Sequence, residues 1–591
     1  MTSHDPLIRV LTIDLSSQTF SIDERPELFT AALGGAGVAI RLLDEYCPQG
    51  ADPLGADNPI IFAVGPLVGH FPLASKTVAM FKSPHTGNLG ESHAGGRSAV
   101  SIRMARYGAI VIVGQSETPT YLVIEDGNVL FRDASALWGL RSSYTVGTVL
   151  REREKGSGHR SIMRIGPAGE KLVSYACVIT ETYRHFGRLG LGAVFGSKKL
   201  KAIVVSDSQT LPVAEPQRYR SQYNALYKAA TDSPLMKKYH DLGTPINVLP
   251  LNELGALPTR NLQSGRFEDA NNLSGEHLAE QYLGRRLACA HCPVACIHIA
   301  ALRTPHPDEP YFYKTSMLGY DYEPIFALGS MLGIADSAGM LQLMDEVEIQ
   351  GLDAMSAGVA LAWATEALER GLINKTDTDD ISLAWGDADA AIEAVRRIIS
   401  QPTDFYRALA RGVSYASSIY GGTDFALAFG GNEMPGYHTG PAGYLGYLLG
   451  ARHSHLDNAG YSIDQKNVAS GNAPTAEQLV SQLVDEERWR QILSSLVVCF
   501  FSRGLYTPAV IVECLATLGI DMDEAKLQDL GADILHRKNQ FKLREGFDPI
   551  AQPIPKRLLE TISPTGAISE ELLQEALKKF GERITNSERP S

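Results

Sequence analysis

The stretch CAHCPVACIH, residues 289–298, sets three thiols at C-x2-C-x3-C spacing: Cys289, Cys292 and Cys296. Spacers this short let three thiolates reach one centre from a single turn, here expected to run into a helix, and that suits iron–sulfur ligation. A cluster of this kind needs a fourth ligand from elsewhere. Cys47, Cys177, Cys499 and Cys514 are available, as are the neighbouring His291 and His298. The same spacing allows a zinc site of three cysteines and one histidine that merely staples a loop. A third reading leaves the thiols unliganded, since free Cys packs readily in cores. Taken alone, Cys47, Cys177 and Cys514 read as core residues, and Cys499 lies in the apolar run LSSLVVCFF.

Seven cysteines in 591 residues make no disulfide framework. Hydrophobic residues at 44% and charged residues at 20% describe a globular chain and exclude a disordered one. At roughly 150 residues per domain, the length predicts three or four domains and a core large enough for a cofactor. A net charge of −13 argues against a general nucleic-acid binder, which needs a basic face. The N-terminal MTSHDPLIRV has neither a basic nor an apolar signal region. Apolar runs such as Ile60–Val68 fall far short of the ~20 residues that span a bilayer, so a soluble cytoplasmic protein is expected.

Around the cysteines the chain changes character. Ile8–Leu15, Ile60–Val64, Thr77–Phe81, Ala109–Val113, Tyr121–Glu125 and Leu200–Val205 are short, β-branched and bounded by turn residues, as strands are. A polar linker, Ser206–Arg218, follows. Beyond it Val359–Glu369, Ala390–Ile399, Ala476–Val484 and Glu524–Leu535 carry apolar residues at helical spacing. Strands first and helices after predict an α+β fold: a β-rich base over residues 1–208, then two mainly helical domains, 209–410 and 411–591. No repeat is visible, and Asn586–Ser591 reads as a polar tail.

Glycines cluster in the front. Lys82–Gly108 (KSPHTGNLGESHAGGRSAVSIRMARYG) reads as loop up to Gly96 and helix after it, and Gly187–Lys201 is similar. Glycine-rich backbone entering a helix N-terminus favours anions. Neither segment matches G-x-G-x-x-G or G-x-x-x-x-G-K-[ST], so tight turns in a β domain explain each equally well.

Together these strings resemble the aldehyde:ferredoxin oxidoreductase family, tungsten enzymes with a bis-molybdopterin cofactor and a [4Fe–4S] cluster. The likeness runs from about residue 8 to about residue 560. It is carried by GGAGVAIRLL (34–43), NPIIFAVGPLVG (58–69), FKSPHTGNLGESHAGG (81–96) and GRLGLGAVFGSKKLKAI (187–203). In the back half it is carried by CAHCPVAC, DYEPIFALGSMLGIAD (321–336), GLDAMSAGVALAWATEAL (351–368) and LVVCFF (496–501). The resemblance implies that residues 1–208 form a bis-pterin base closed over by the helical domains. It implies a tungsten cofactor, with molybdenum the alternative, and a Mg2+ between the pterin phosphates. It also implies that Cys499 is the fourth cluster ligand.

Residue by residue, the family's D-x-x-G-L-(D/C) pterin motif falls on Glu348, Gly351, Leu352 and Asp353. Gly351 would stop one helix and Asp353 would start the next, so two acids could meet pterin N–H groups; both also suit plain helix-end acids. The second copy of the motif is degenerate, with Ser494, Val497, Val498 and Cys499. Lys76 stands where the family has an Arg joining cluster and pterin, which loses the planar fork. His93 replaces an Asn beside the phosphates, and Gly95 is retained. Arg184 and Arg188 would meet pterin phosphates or stay solvated.

Glu323 matches the family's active-site glutamate and is the expected general base. Tyr322 beside it would donate to a carbonyl or pack. His455 matches the family histidine best, with His453 the close second; with Asp457 the pair also suits a loop metal site. His85, His93, His185, His453 and His455 would all line the cavity, which suits proton traffic or a polar substrate. The implied reaction oxidises an aldehyde, a small-molecule substrate, and passes electrons to ferredoxin or an iron–sulfur partner, as a homodimer or in a larger complex without nucleic acid or membrane. Two other readings compete: a low-potential reductase of an acid or activated aromatic ring, and an electron-transfer subunit that has lost the pterin.

Overall fold

A computed structural model describes residues 6–586 except Ser157, Thr182, Pro307 and Pro310; residues 1–5 and the tail 587–591 lie outside the described residues. The front of the chain folds as two six-stranded mixed sheets. The first comprises β1 (Arg9–Asp14), β2 (Thr19–Glu24), β3 (Ile60–Ala63), β4 (Thr77–Lys82), β5 (Leu89–Ala94) and β6 (Ala109–Val113), in the order β2-β1-β6-β3-β4-β5. The second comprises β7 (Thr120–Glu125), β8 (Asn128–Asp133), β9 (His159–Arg164), β10 (Val178–Ile179), β11 (His185–Phe186) and β12 (Leu200–Asp207), in the order β11-β10-β9-β12-β7-β8. Strands β4 and β12 are buried along their whole length, which is why they read as near-continuous apolar runs.

Helices dominate after Pro216, as an α+β chain requires. The last long helices return to the front of the molecule. Ile492, Leu496 and Ile534 share one core with Ile61, Met80 and Ile110 of the first sheet, and this delivers Cys499 to the base. A second core fills the helical middle around Trp363, Met340 and Tyr444. Among the described residues, no single helix is long and apolar enough to cross a membrane.

Two local expectations are corrected. The cysteine stretch enters a strand, not a helix: β14 (Ile297–Pro305) lies between β13 (Leu283–Leu287) and β15 (Tyr313–Tyr320). IHIAALRTP is β-branched at its start and pairs on both sides, His298 with Arg286 and with Tyr320, so ladder bonds win over helix. Likewise Leu89–Ala94 is no loop. It pairs antiparallel with β4, His93 opposite Val78, and the helix begins only at Ser98.

Candidate active site and metal centre

The three clustered thiols lie between β13 and β14 on a loop that turns through left-handed His291 (φ 57°) and Ala295 (φ 52°). Ala290 N donates to Gly96 O at 2.9 Å, and Cys292 N to Cys289 O at 3.2 Å. A Cβ on Gly95 would stand 2.9 Å from Cys289 Sγ, so only glycine lets the base approach this thiol. The segment 73–76 then brings in the fourth cysteine. Leu73 N donates to His291 O (3.2 Å), while Cys499 N donates to Leu73 O (2.9 Å) and Lys76 N to Val497 O (3.2 Å). All four thiols are half-buried. Burial, with Cys499 and Cys289 as neighbours, pushes the Cys296 thiol up to about 12, and burial raises Cys292 as well.

His298 turns both ring nitrogens to backbone carbonyls, Cys296 O at 3.2 Å and His240 O at 3.1 Å, so it is not free to complete a three-cysteine zinc site. Cys47, Cys177 and Cys514 are buried. Lys76 Nζ would lie 3.3 Å from a Cβ on Gly95, beside Cys289. Arg184, expected among phosphates, instead stands between the thiols and the acids. Its guanidinium is 3.7 Å from Asp321 Oδ2, and Asp321 with Cys289, Cys296 and Cys499 outweighs burial to raise its pKa.

Gly351 ends the Ser337–Gln350 helix at φ 78°, and Asp353 caps the Ala354–Glu369 helix. The junction is stitched to the base by Cys177 N to Gly351 O (2.9 Å) and Asp353 N to Tyr175 O (3.0 Å). Both acids already have protein partners. Glu348 Oε2 accepts from His185 Nε2 at 2.8 Å, and Asp353 Oδ2 accepts from the Ser356 hydroxyl (2.6 Å) and Arg188 Nε (3.2 Å). Arg188 Nη2 donates to Glu433 O at 2.6 Å, while buried Nη1 has no partner. Ser494 is buried where its helix ends against the glycine loop: its carbonyl would be 2.2 Å from a Cβ on Gly35.

Glu433 is a buried acid that the sequence did not reveal. Its Oε2 accepts from His85 Nε2 at 2.7 Å and its Oε1 from Val413 N at 3.0 Å. Burial acts to raise its pKa, but His85, Ser356 and Val413 outweigh it and hold the carboxyl near about 2. FGGNE carries no motif, so only packing on His85 exposes the role.

Glu323 begins the Tyr322–Leu328 helix. Its Oε1 accepts from the Tyr437 hydroxyl at 2.9 Å and lies 3.3 Å from His455 Nε2. Burial would raise this carboxyl, but His455 and Tyr437 outweigh it and keep it below its ordinary value. Neighbouring Asp321 goes the other way: burial and the Glu323 charge push it up to about 6. Tyr322 takes the packing role, one of its two expected ones. Its hydroxyl donates to Gly436 O and its ring is fully buried, so it packs, and Tyr437 is the phenol beside the acid. His453 Nδ1 donates to Tyr447 O at 2.8 Å; its Nε2 and His455 Nδ1 are buried without partners. Asp457 takes part in no metal set, because it pairs with Arg452 at 2.6 Å and closes a capping box with Ser454.

His93 Nε2 donates to Glu91 Oε1 at 2.7 Å, and Lys538 holds the other oxygen. Burial, then Arg452, lowers the His93 pKa to about 4 despite Glu91. A neutral ring with its N–H spent on Glu91 has an acceptor at Nδ1 and offers a phosphate no proton. The unfolded ring titrates near 6.5, so its stabilising effect is whole above that pH and lost as pH falls from 6.5 towards 4, at about 3 kcal/mol in full. We expect His93→Gln to flatten the acid limb of apo-protein stability over that window in denaturant melts; an unaltered limb would refute this.

The family model for the N-terminal domain of aldehyde ferredoxin oxidoreductase matches residues 10–207, and the model for its domains 2 and 3 matches residues 222–589. The tungsten-containing aldehyde ferredoxin oxidoreductase of Thermococcus kodakarensis is 34% identical over 94% of this chain and 92% of its own. The aliphatic sulfonate oxidoreductase WOR-like subunit of Pyrococcus furiosus is 26% identical over 98% and 94%. Among solved structures, the active-site complex BamBC of benzoyl coenzyme A reductase with 1,5-dienoyl-CoA superposes with a TM-score of 0.79 at 20% identity, covering 98% of this chain and 94% of that one, a likeness of fold. Two family models that together span nearly the whole sequence, and relatives above 30% identity, make this chain an oxidoreductase that belongs to the aldehyde ferredoxin oxidoreductase family.

Proposed function

We propose that the chain oxidises an aldehyde to its carboxylic acid on a tungsten–pterin group and releases the electrons through a [4Fe–4S] cluster to ferredoxin or an iron–sulfur partner. One observation carries this reading: Arg184 bridges the thiol quartet and the Asp321–Glu323 acids, so the proposed cluster and the proposed proton acceptor share one wall. The donor set fits the groups. Cys289, Cys292, Cys296 and Cys499 are four half-buried thiols beside a guanidinium, the chemistry an iron–sulfur cluster takes. Arg188 Nη1, His453 Nε2 and His455 Nδ1 are buried polar atoms awaiting partners, as a polar cofactor and substrate would supply.

Oxidation of RCHO by water to RCOOH releases two electrons and two protons. The tungsten–pterin group supplies the two-electron sink and the cluster the one-electron exit. This chain's residues handle the protons and the orientation. Glu323, ionised between His455 and Tyr437, takes a proton from the water-derived oxygen. His455 Nε2 passes it on, and Tyr437 fixes the carboxylate by its 2.9 Å bond. Arg188 and the Glu348–His185 pair hold the pterin edge, and Arg184, always cationic, favours the electron-rich form of the cluster. A second reading, reduction of an acid or an activated ring, draws support from Asp321, whose pKa of about 6 lets it carry a proton beside Glu323.

Anaerobically purified protein should contain about one tungsten and about four iron per chain, and should reduce a low-potential dye with aldehydes. Iron without tungsten or molybdenum would overturn the proposal, and zinc alone would sink the thiol assignment. Metal content as expected with dye oxidation in place of reduction would favour the second reading.

A further inference from the structure

Aromatic rings gather beside Glu323, and the proposed proton transfers use none of their faces. Tyr437 and Tyr461 lie nearly parallel, with centroids 4.6 Å and planes 20° apart. The His455 ring stands 5.0 Å from Tyr437 and 6.2 Å from Tyr461. A second pair, Tyr239 and Phe501, is closer and flatter, at 4.3 Å and 16°. Burial raises the Tyr239 phenol, and Tyr461, Cys499 and Glu323 add to this against Arg503, so the two pairs border the same space beside the acid.

The four rings come from four separate segments. Tyr239 lies on the Pro234–Leu242 helix, Phe501 on the turn Phe500–Ser502, Tyr461 at the start of the Gly460–Ser470 helix, and Tyr437 on the stretch that leads into the Pro441–Leu449 helix. Tyr437 is 7% exposed, whereas Tyr461, Tyr239 and Phe501 are half-buried. Exposure therefore rises from the ring bonded to Glu323 to the rings beyond it. Sealed core packing would bury all four; a ligand cleft leaves its outer wall open and lines it with apolar and aromatic side chains around a few polar groups.

We propose that the substrate is an aryl aldehyde, its flat ring held against the Tyr437–Tyr461 and Tyr239–Phe501 surfaces while its carbonyl meets Glu323 and His455. The assignment rests on the reading of Glu323 as the base of an aldehyde oxidation. The reaction is the oxidation of RCHO by water already given, with R an aryl group, and its electrons and protons balance in the same way. Offset-stacked and edge-to-face contacts reward a π system on both partners. A cyclohexyl group buries at least as much apolar surface but presents no π face, so burial alone gives the aryl group no advantage. The two ring surfaces together should discriminate by about tenfold, or about threefold from each.

The test uses holoenzyme and two matched pairs of probes. Dye-linked kcat/KM is measured for benzaldehyde and cyclohexanecarbaldehyde, and calorimetry gives the affinities of benzamide and cyclohexanecarboxamide, which keep the carbonyl but have no aldehyde hydrogen. The aryl compound should lead by about tenfold in both pairs. Tyr461→Leu and Tyr239→Leu should each lower both ratios about threefold. Tyr461→Phe should keep them, and so should Tyr437→Phe despite its slower turnover, which separates the ring from its hydroxyl and from misfolding. Ratios near one in the unaltered enzyme, ratios that both leucine variants leave intact, or absence of both turnover and benzamide binding would overturn the proposal. If no aldehyde turns over while benzamide still binds about tenfold tighter than its cyclohexyl counterpart, the proposed reaction falls and the aryl site stands.

Discussion

Cys499→Ser should strip the protein of the proposed cluster: the broad visible absorption disappears and iron falls from about four per chain towards none. The argument rests on convergence. Cys499 reaches Cys289, Cys292 and Cys296 through backbone bonds from Leu73 to both loops, and serine keeps those bonds while removing the thiolate. Burial has already raised Cys292 and Cys296, so in the empty site the thiols are protonated and their affinity for metal must displace those protons. Cys47→Ser and Cys514→Ser, outside the proposed ligand set, should leave the spectrum intact. An unchanged spectrum in Cys499→Ser would exclude it as a ligand.

Glu323→Gln should lower kcat about 10²- to 10⁴-fold, the range for a lost proton acceptor, with metal content unchanged. The amide keeps the size and the Tyr437 contact but cannot take the proton. Tyr437→Phe should cost less, about tenfold, because the hydroxyl orients a charge that remains. The pH dependence separates the two acids. Asp321 titrates near about 6 because it is buried and beside the Glu323 charge. Removing that charge lets Asp321 ionise at lower pH, so the Asp321 titration should move downward in Glu323→Gln. A kcat within about threefold of the original would sink Glu323 as the base.

The residues named from sequence and those found in space differ in kind. The thiol spacing, the glycine segments and DYEPIF are local strings, and local strings can be read because their chemistry needs short, fixed spacing. Tyr437 and Glu433 could not be found that way. Tyr437 matters only because the Tyr322–Leu328 helix presents Glu323 2.9 Å away, and Glu433 only because His85 packs on it from the far end of the chain. Sequence left Tyr322 with two roles, and helix geometry chose packing by turning its hydroxyl to Gly436. The helix expected after Cys296 failed because ladder partners on both sides of β14 are non-local.

By itself, then, the order of amino acids determined the α+β division, the family and a list of reactive residues, since hydrophobic period and short motifs act over a few residues. Only the tertiary structure decided how those residues meet: that Cys499 crosses to the cysteine loop by way of residues 73–76, that Arg184 rather than a phosphate-facing side chain joins thiols to acids, and that Glu348 and Asp353 already hold protein partners. Contacts between distant segments form when cores close, as Ile492, Leu496 and Ile534 close on the first sheet, and the burial that closes them is also what moves the pKa values of the site.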